Sequence, residues 1–199
     1  MAGDVLNLWP MMLILPLVML LALGAFLALL RLGGRALQSI GTEALPEPAD
    51  GWPAAAMLVP VTGAAPGLAA RLESLLSQDY PGYQVVFAVR QADDPAVPII
   101  RALLAAQTQA RLVVAGPARH CGQKNYNLLA GLRLVGEAPE MLVFCDSNQM
   151  APPGFLKALI RPIVSGQARV TSGFHHVHPQ YNRLGALARA VSVLALYLC

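Results

Sequence analysis

Two carboxylates stand where apolar segments end: Asp94 in Val89-Arg-Gln-Ala-Asp-Asp-Pro95 and Asp146 in Val143-Phe-Cys-Asp-Ser147, with Gly122-Gln-Lys124 between them. Apolar strands that stop on polar residues build the crevice at the carboxyl edge of an open α/β sheet, where nucleotides and metals bind. Asp146 closes the otherwise apolar Met141-Leu-Val-Phe-Cys145, and a charge there is costly unless it pairs, binds metal or faces solvent. With Ser147 and Asn148 beside it, Asp146 offers hard oxygen ligands for Mg²⁺ or Mn²⁺, cations that neutralise a diphosphate leaving group. A helix cap at the same turn is the alternative. Asp94 precedes Pro95, which biases it towards an extended geometry. Its carboxylate can accept hydrogen bonds from a base or ribose, or it can cap the helix that follows. Lys124 falls near a helix N-terminus, where a phosphate is favoured and a cation opposes the macrodipole. A lysine that fits its helix poorly fits a phosphate ligand well.

The histidines suggest a different chemistry. His176 and His178 share one face of an extended segment and His175 takes the other. A His-x-His pair near Asp146 supplies two ligands of a zinc hydrolase, but no third and fourth ligand has the spacing of such a site. Placement at a pocket rim, or bonded to backbone, suits these histidines better.

The elements that must position these residues alternate. A short apolar strand over 54–61 leads to a helix opened by Pro66, with Leu68, Leu72, Leu75 and Leu76 on one face. After the turn Asp79-Tyr-Pro-Gly82 come a strand over 84–90, a helix over 96–107, a strand over 112–115, a helix over 124–135 and a strand over 141–145. A helix over 153–164 and a strand over 169–174 complete the pattern. Strand and helix alternating at this spacing means βαβ units: an α/β fold with a mostly parallel sheet and helices on both faces. The domain is expected to occupy 54–183. The stretch 184–199 is apolar but carries Arg189, short for a crossing and suited to lying in an interface or to being the first part of a longer helix.

Ahead of the domain, residues 11–30 hold no charge. Twenty helical residues span roughly 30 Å, the thickness of a hydrocarbon core. A cleaved signal peptide would carry basic residues before the apolar run, whereas Asp4 precedes this one and Arg31 and Arg35 follow. A transmembrane anchor over 1–32 is therefore expected, followed by a juxtamembrane linker over 33–53 rich in Gly and Pro. The positive-inside bias places the domain on the cytoplasmic face. The composition, 56% hydrophobic and 13% charged with net charge +3, agrees with membrane attachment. No aromatic-plus-basic stripe marks a nucleic-acid groove, so an anionic membrane surface or a phosphate-bearing ligand is the better partner. Cys121, Cys145 and Cys199 have no metal-ligand or disulfide spacing and read as free thiols.

Together Val59-Pro-Val-Thr-Gly63, Leu72-Glu-Ser-Leu-Leu-Ser-Gln-Asp-Tyr-Pro81, Tyr83-Gln-Val-Val-Phe-Ala-Val89, Asp93-Asp-Pro95, Gly122-Gln-Lys-Asn-Tyr-Asn-Leu128 and Phe144-Cys-Asp-Ser147 resemble, in order, the motifs of the ceramide glucosyltransferase family. The bacterial hopanoid-associated glycosyltransferases are similar relatives. The resemblance implies a GT-A-type nucleotide-sugar domain on a cytosolic membrane face, passing a sugar from a nucleotide, UDP above all, to a ceramide- or hopanoid-like lipid hydroxyl. It implies donor-binding roles for Pro60, Asp94, Lys124 and Asn127, with Asp94 at the uracil or ribose and Lys124 at the diphosphate, and a metal-binding role for Asp146. This chain has Val59 and Thr62 where ceramide-using members carry lysines.

The family also has a third Asp, taken as the base for the acceptor, and an Arg-Trp motif; neither occurs here, and no Asp or Glu follows Asp146. His175, His176 and His178 are then the remaining base candidates. The chain reads as the donor-binding part of a longer enzyme, and the alternative is a non-catalytic, membrane-tethered module that binds nucleotide sugar. The orientation is checked by fusing after Cys199 a reporter active only in the cytoplasm. A signal in intact cells is expected, and silence contradicts the assigned topology.

Overall fold

The computed structural model describes residues 9–39, 47–49, 51–173, 183 and 185. The chain divides into two compact units, Met1–Ala44 with Phe174–Cys199, and Leu45–Gly173.

In the first unit the helix α1 runs from Trp9 to Ser39 with Pro16 inside it. At 1.5 Å per residue its 31 residues extend about 46 Å. The helix continues through Gly33 and Gly34, where the density of breakers had placed the start of a linker. Each glycine costs a helix only about 1 kcal/mol relative to alanine, and the neighbouring Leu32, Arg35, Ala36 and Leu37 are helix formers. The described side chains of α1, over 14–28 and at 31, are exposed, among them Leu15, Val18, Met19, Leu20, Leu21 and Phe26. Among the described residues no helix is long and apolar enough to cross a membrane; the side chains at 11–13 and 29–30, part of the expected span, lie outside them.

The second unit is a four-stranded, wholly parallel sheet in the order β3-β2-β1-β4, with β1 Ala55–Pro60, β2 Tyr83–Val89, β3 Ala110–Val114 and β4 Met141–Phe144. Leu58 stands level with Val86 on one side and Phe144 on the other. The helices are α2 Leu68–Leu76, α3 Ala96–Leu104, α4 Gln123–Val135 and α5 Phe155–Val164. Every boundary falls within a few residues of the sequence expectation except the strand over 169–174. Its described part, 169–173, is irregular and pairs with nothing. Thr171 there bonds the Leu159 carbonyl through its hydroxyl at 2.7 Å, so the segment is tied back to α5 instead of extending the sheet, and Val170 is left exposed.

Alternating side chains of the central strands feed two cores. Met57, Val59, Val85, Phe87 and Val89 pack with Leu68, Leu72 and Leu75 of α2, Val97 and Ile100 of α3, and Leu156 and Ile160 of α5. Ala56, Leu58 and Val86 face the other way, against Leu128, Leu132 and Val135 of α4. A sheet covered on both faces explains why β1 and β2 read as unbroken apolar runs. The faces also follow from the strand order. Successive crossovers of one hand put α2 and α3 on one side while the chain moves from β1 out to β3; the return to β4 reverses direction and puts α4 on the opposite side.

The α4 helix sits close to the sheet because residue 131 is glycine. A Cβ there would stand 3.3 Å from Leu58 Cδ2 and 3.5 Å from Val86 Cγ1. A leucine side chain in that space overpacks the smaller core, and Gly131→Leu is expected to lower unfolding stability by about 1–3 kcal/mol in denaturant titrations.

Just past β4, Cys145 is buried in the larger core. Burial, with the Asp146 carboxylate next to it, pushes its thiol up from 9.0 to about 12. Between those values the folded chain keeps a proton that the unfolded chain releases, so stability falls as pH rises from about 9 towards about 12. Cys145→Ala is expected to flatten that decline in melts across the alkaline range. A residual slope comes from Tyr80, whose hydroxyl is pushed up to about 12 by burial and by Glu140.

Candidate functional site

The reversal of strand order leaves a gap between the loops that follow β1 and β4, and a cavity of about 510 Å³ opens there. Its lining comes from three sides: Pro60, Val61 and Thr62 after β1 with Arg90 after β2; Gln123, Lys124 and Asn127 of α4; and Asp146, Ser147 and Asn148 after β4. Its size lies within the range of ordinary ligand pockets, and its position is the one where open α/β sheets bind ligands. The charged lining residues are Arg90, Lys124 and Asp146, two cations to one anion, which favours an anionic ligand.

Each wall is tied down. After β4, the Ser147 carbonyl receives Arg71 Nε at 3.4 Å, and the Ala151 amide donates to Ser74 Oγ at 3.0 Å. Gln78 completes the hold. Its Nε2 donates to the Ser74 and Pro152 carbonyls at 2.8 and 3.1 Å, and its Oε1 accepts from the Leu156 amide at 3.0 Å. The loop that carries Asp146 is thus laced to α2.

On the opposite wall, Asn127 is only 4% exposed and its Nδ2 donates to the Ala88 carbonyl at 3.2 Å. Gln123 Nε2 donates to Asn127 Oδ1 at 2.8 Å and to the Gly116 carbonyl at 2.9 Å, while its Oε1 accepts from the Ala118 amide at 2.9 Å. One glutamine clasps both ends of the β3–α4 loop and presents the next residue, Lys124, to the cavity. The α4 N-terminus has no side-chain cap, so its first amides remain available to an anion.

Lys124 and Asp146 meet across the cavity, Nζ to Oδ1 at 2.5 Å, with side chains 60% and 48% exposed. A pair this exposed stabilises the fold by about 0–1 kcal/mol at most. Separating the two charges therefore costs little, and each is available to a ligand.

Asp94 behaves differently. It is 6% exposed and absent from the cavity lining. Its Oδ1 accepts from the Ala96 and Gly63 amides, both at 2.9 Å, and its Oδ2 from Thr62 Oγ1 at 3.4 Å. The carboxylate caps α3 and fixes the loop after β1, so that Asp94 shapes the cavity floor through Thr62 and Gly63. Pro60, Lys124, Asn127 and Asp146 of the sequence-predicted set line the cavity together. His175, His176 and His178 lie outside the described residues. Sequence reasoning passed over Gln123 and Arg90. Gln123 sits in the same Gly-Gln-Lys run as the lysine, but its role depends on reaching Gly116, Ala118 and Asn127, a convergence that spacing does not reveal.

Among the described residues no group of three or more His, Cys, Asp and Glu side chains can hold a metal ion unaided. Magnesium-type ions are commonly bound by one or two carboxylates together with substrate phosphates. The oxygen donors of Asp146, Ser147 and Asn148 fit an ion that is completed by its ligand.

Comparison with known proteins agrees with this architecture. The structure is similar to the mannosyltransferase PcManGT from Pyrobaculum calidifontis, solved in complex with GDP-Man and Mn²⁺, with a TM-score of 0.51 and 22% sequence identity. The match covers 68% of this chain and 39% of that one, a likeness of fold in which this chain spans well under half the length of its relative. The sequence matches the family model for Glycosyl transferase family 21 over residues 16–192. That match takes in the sheet, the cavity and the Gly-Gln-Lys and Cys-Asp-Ser segments alike, and the chain belongs to glycosyl transferase family 21.

Proposed function

We propose that this chain forms the donor-binding part of a membrane-anchored, metal-dependent glycosyltransferase that passes a sugar from a nucleoside diphosphate, UDP foremost, to a lipid hydroxyl. The observation that carries the reading is the single cavity wall-to-wall pairing of Lys124 with Asp146 beside an uncapped helix N-terminus, at a sheet edge of the type that binds nucleotides. Family membership supports sugar transfer as the reaction. The ceramide- or hopanoid-like acceptor rests on the resemblance of the sequence motifs. The anchor is supported by α1, whose described apolar side chains are exposed on all sides, a distribution that needs an apolar surrounding.

On this reading Lys124 and the α4 amides bind the diphosphate, and the Gln123–Asn127 clasp keeps them in place. Asp146, with Ser147 and Asn148, would hold a divalent cation, Mg²⁺ or Mn²⁺, which supplies charge neutralisation to the departing diphosphate. The exposed Lys124–Asp146 pair opens at small cost when the donor arrives, Lys124 turning to phosphate while Asp146 is released for its own partner. Cys145 stays protonated at neutral pH, its thiol pushed up to about 12, and adds no charge beside Asp146. In the transfer the acceptor oxygen bonds to the anomeric carbon, the bond from that carbon to the diphosphate oxygen breaks with its electron pair leaving on the nucleotide, and the hydroxyl proton passes to a base.

Calorimetry of the full chain in detergent tests the donor site. UDP-sugar is expected to bind more tightly with Mn²⁺ than without, and Asp146→Asn to remove that difference. Lys124→Met is expected to weaken binding by about 10–100-fold, the worth of a hydrogen bond to a charged group. Equal heats for Asp146→Asn and the parent chain in Mn²⁺ contradict the metal role.

A further inference from the structure

Arg90 lines the cavity, and while its carbonyl accepts from the Gly116 amide at 3.0 Å, its guanidinium has no counter-charge or hydrogen-bond partner among the described residues. Its position sets it apart from Lys124, which already faces Asp146. Arg90 follows β2 and Asp146 follows β4, and β1 lies between those strands. Two strand spacings separate their chains by about 10 Å across the sheet. The registers Pro60↔Ala88 and Leu58↔Phe144 put Arg90 further along the strand direction than Asp146. The two residues thus occupy opposite ends of one cavity.

If the diphosphate lies at Lys124, Asp146 and the α4 N-terminus, as the proposed donor site requires, the nucleoside extends towards the other end. We infer that Arg90 is a specificity-determining residue that reads the nucleobase through its carbonyl edge. The inference rests on the donor-site reading above. A guanidinium presents donors only, in a planar fork, so its partner must be an acceptor. Uracil offers two carbonyl oxygens and guanine one, whereas adenine presents an amino group where those bases carry oxygen. The floor beneath is rigid: Asp94 fixes Thr62 and Gly63, and the Val61 amide donates to the Ala88 carbonyl at 2.9 Å. Arg90 is exposed and makes none of these bonds, so replacing it leaves the frame intact.

The test is competition binding of UDP, GDP, CDP and ADP to the full chain in detergent with Mn²⁺, for the parent and for Arg90→Lys and Arg90→Met. The parent is expected to prefer UDP over ADP. Arg90→Lys keeps the charge but loses the planar placement of the donor, and is expected to reduce the UDP-over-ADP ratio by about tenfold, the worth of one hydrogen bond from a charged donor to a carbonyl oxygen, with ADP affinity unchanged. Arg90→Met is expected to do the same. A loss of equal size for all four nucleotides would mean that Arg90 contacts phosphate, and overturns the inference, as does a ratio that neither substitution alters. A parent chain that binds none of the four removes the donor-site reading and this inference with it. Binding to the parent with an unaltered ratio in both variants removes this inference alone.

Discussion

Everything at the cavity depends on β1 having no free side. It pairs with β2 along one edge and β4 along the other, and its residues Ala55 to Val59 are 0–2% exposed beneath helices on both faces. Because the crossovers reverse direction at this strand, the loops beyond β1 and β4 part instead of packing together. A cleft follows from the topology alone. Which chemistry occupies it is a matter of the few polar residues placed on its rim, and those residues tolerate exposure because the apolar work is done lower in the sheet.

The polar groups around the cleft fall into two energetic classes. Asp94, Asn127 and Gln78 are nearly excluded from solvent and engaged with backbone and side-chain partners. Removing any of them strands buried donors or acceptors, typically costing about 1–3 kcal/mol. Lys124 and Arg90 are exposed and Asp146 is about half-exposed, and the three contribute little to folding. The first class builds the frame and the second is available to ligands, a division that a motif list does not draw because both classes appear as polar residues at strand ends.

This division also explains what could be read from the sequence. The βαβ alternation, the apolar stripe Leu68, Leu72, Leu75 and Leu76, and the doubly buried strands are local patterns with a fixed period, and the structure follows them. Asp146 and Lys124 were legible because a charge closing an apolar strand and a cation opening a helix each contradict their local setting. The two possible roles of Asp94 were not separable, since capping and ligand binding place the same demand on the residue type. The strand expected over 169–174 illustrates a different limit: the β-branched Val170 and Thr171 favour extended backbone but supply no partner strand, and here Val170 stays 84% exposed while Thr171 bonds back to α5. Gln123 was invisible as a clasp because its partners at Gly116, Ala118 and Ala88, the last through Asn127, converge only after folding.

The chain of bonds from Gln123 through Asn127 to the Ala88 carbonyl also sets the span of the cleft. Ala88 lies two residues before Arg90, so the strand that carries one end of the cleft is bolted to the helix that carries the other. The spacing between the two ends is set by folding and not by the arrival of a ligand, so little ordering entropy is lost when both are engaged at once. Exchanging side chains at one end leaves the geometry of the other untouched. The architecture therefore behaves as a fixed gauge: the length of molecule that fits between the jaws is set by the fold itself.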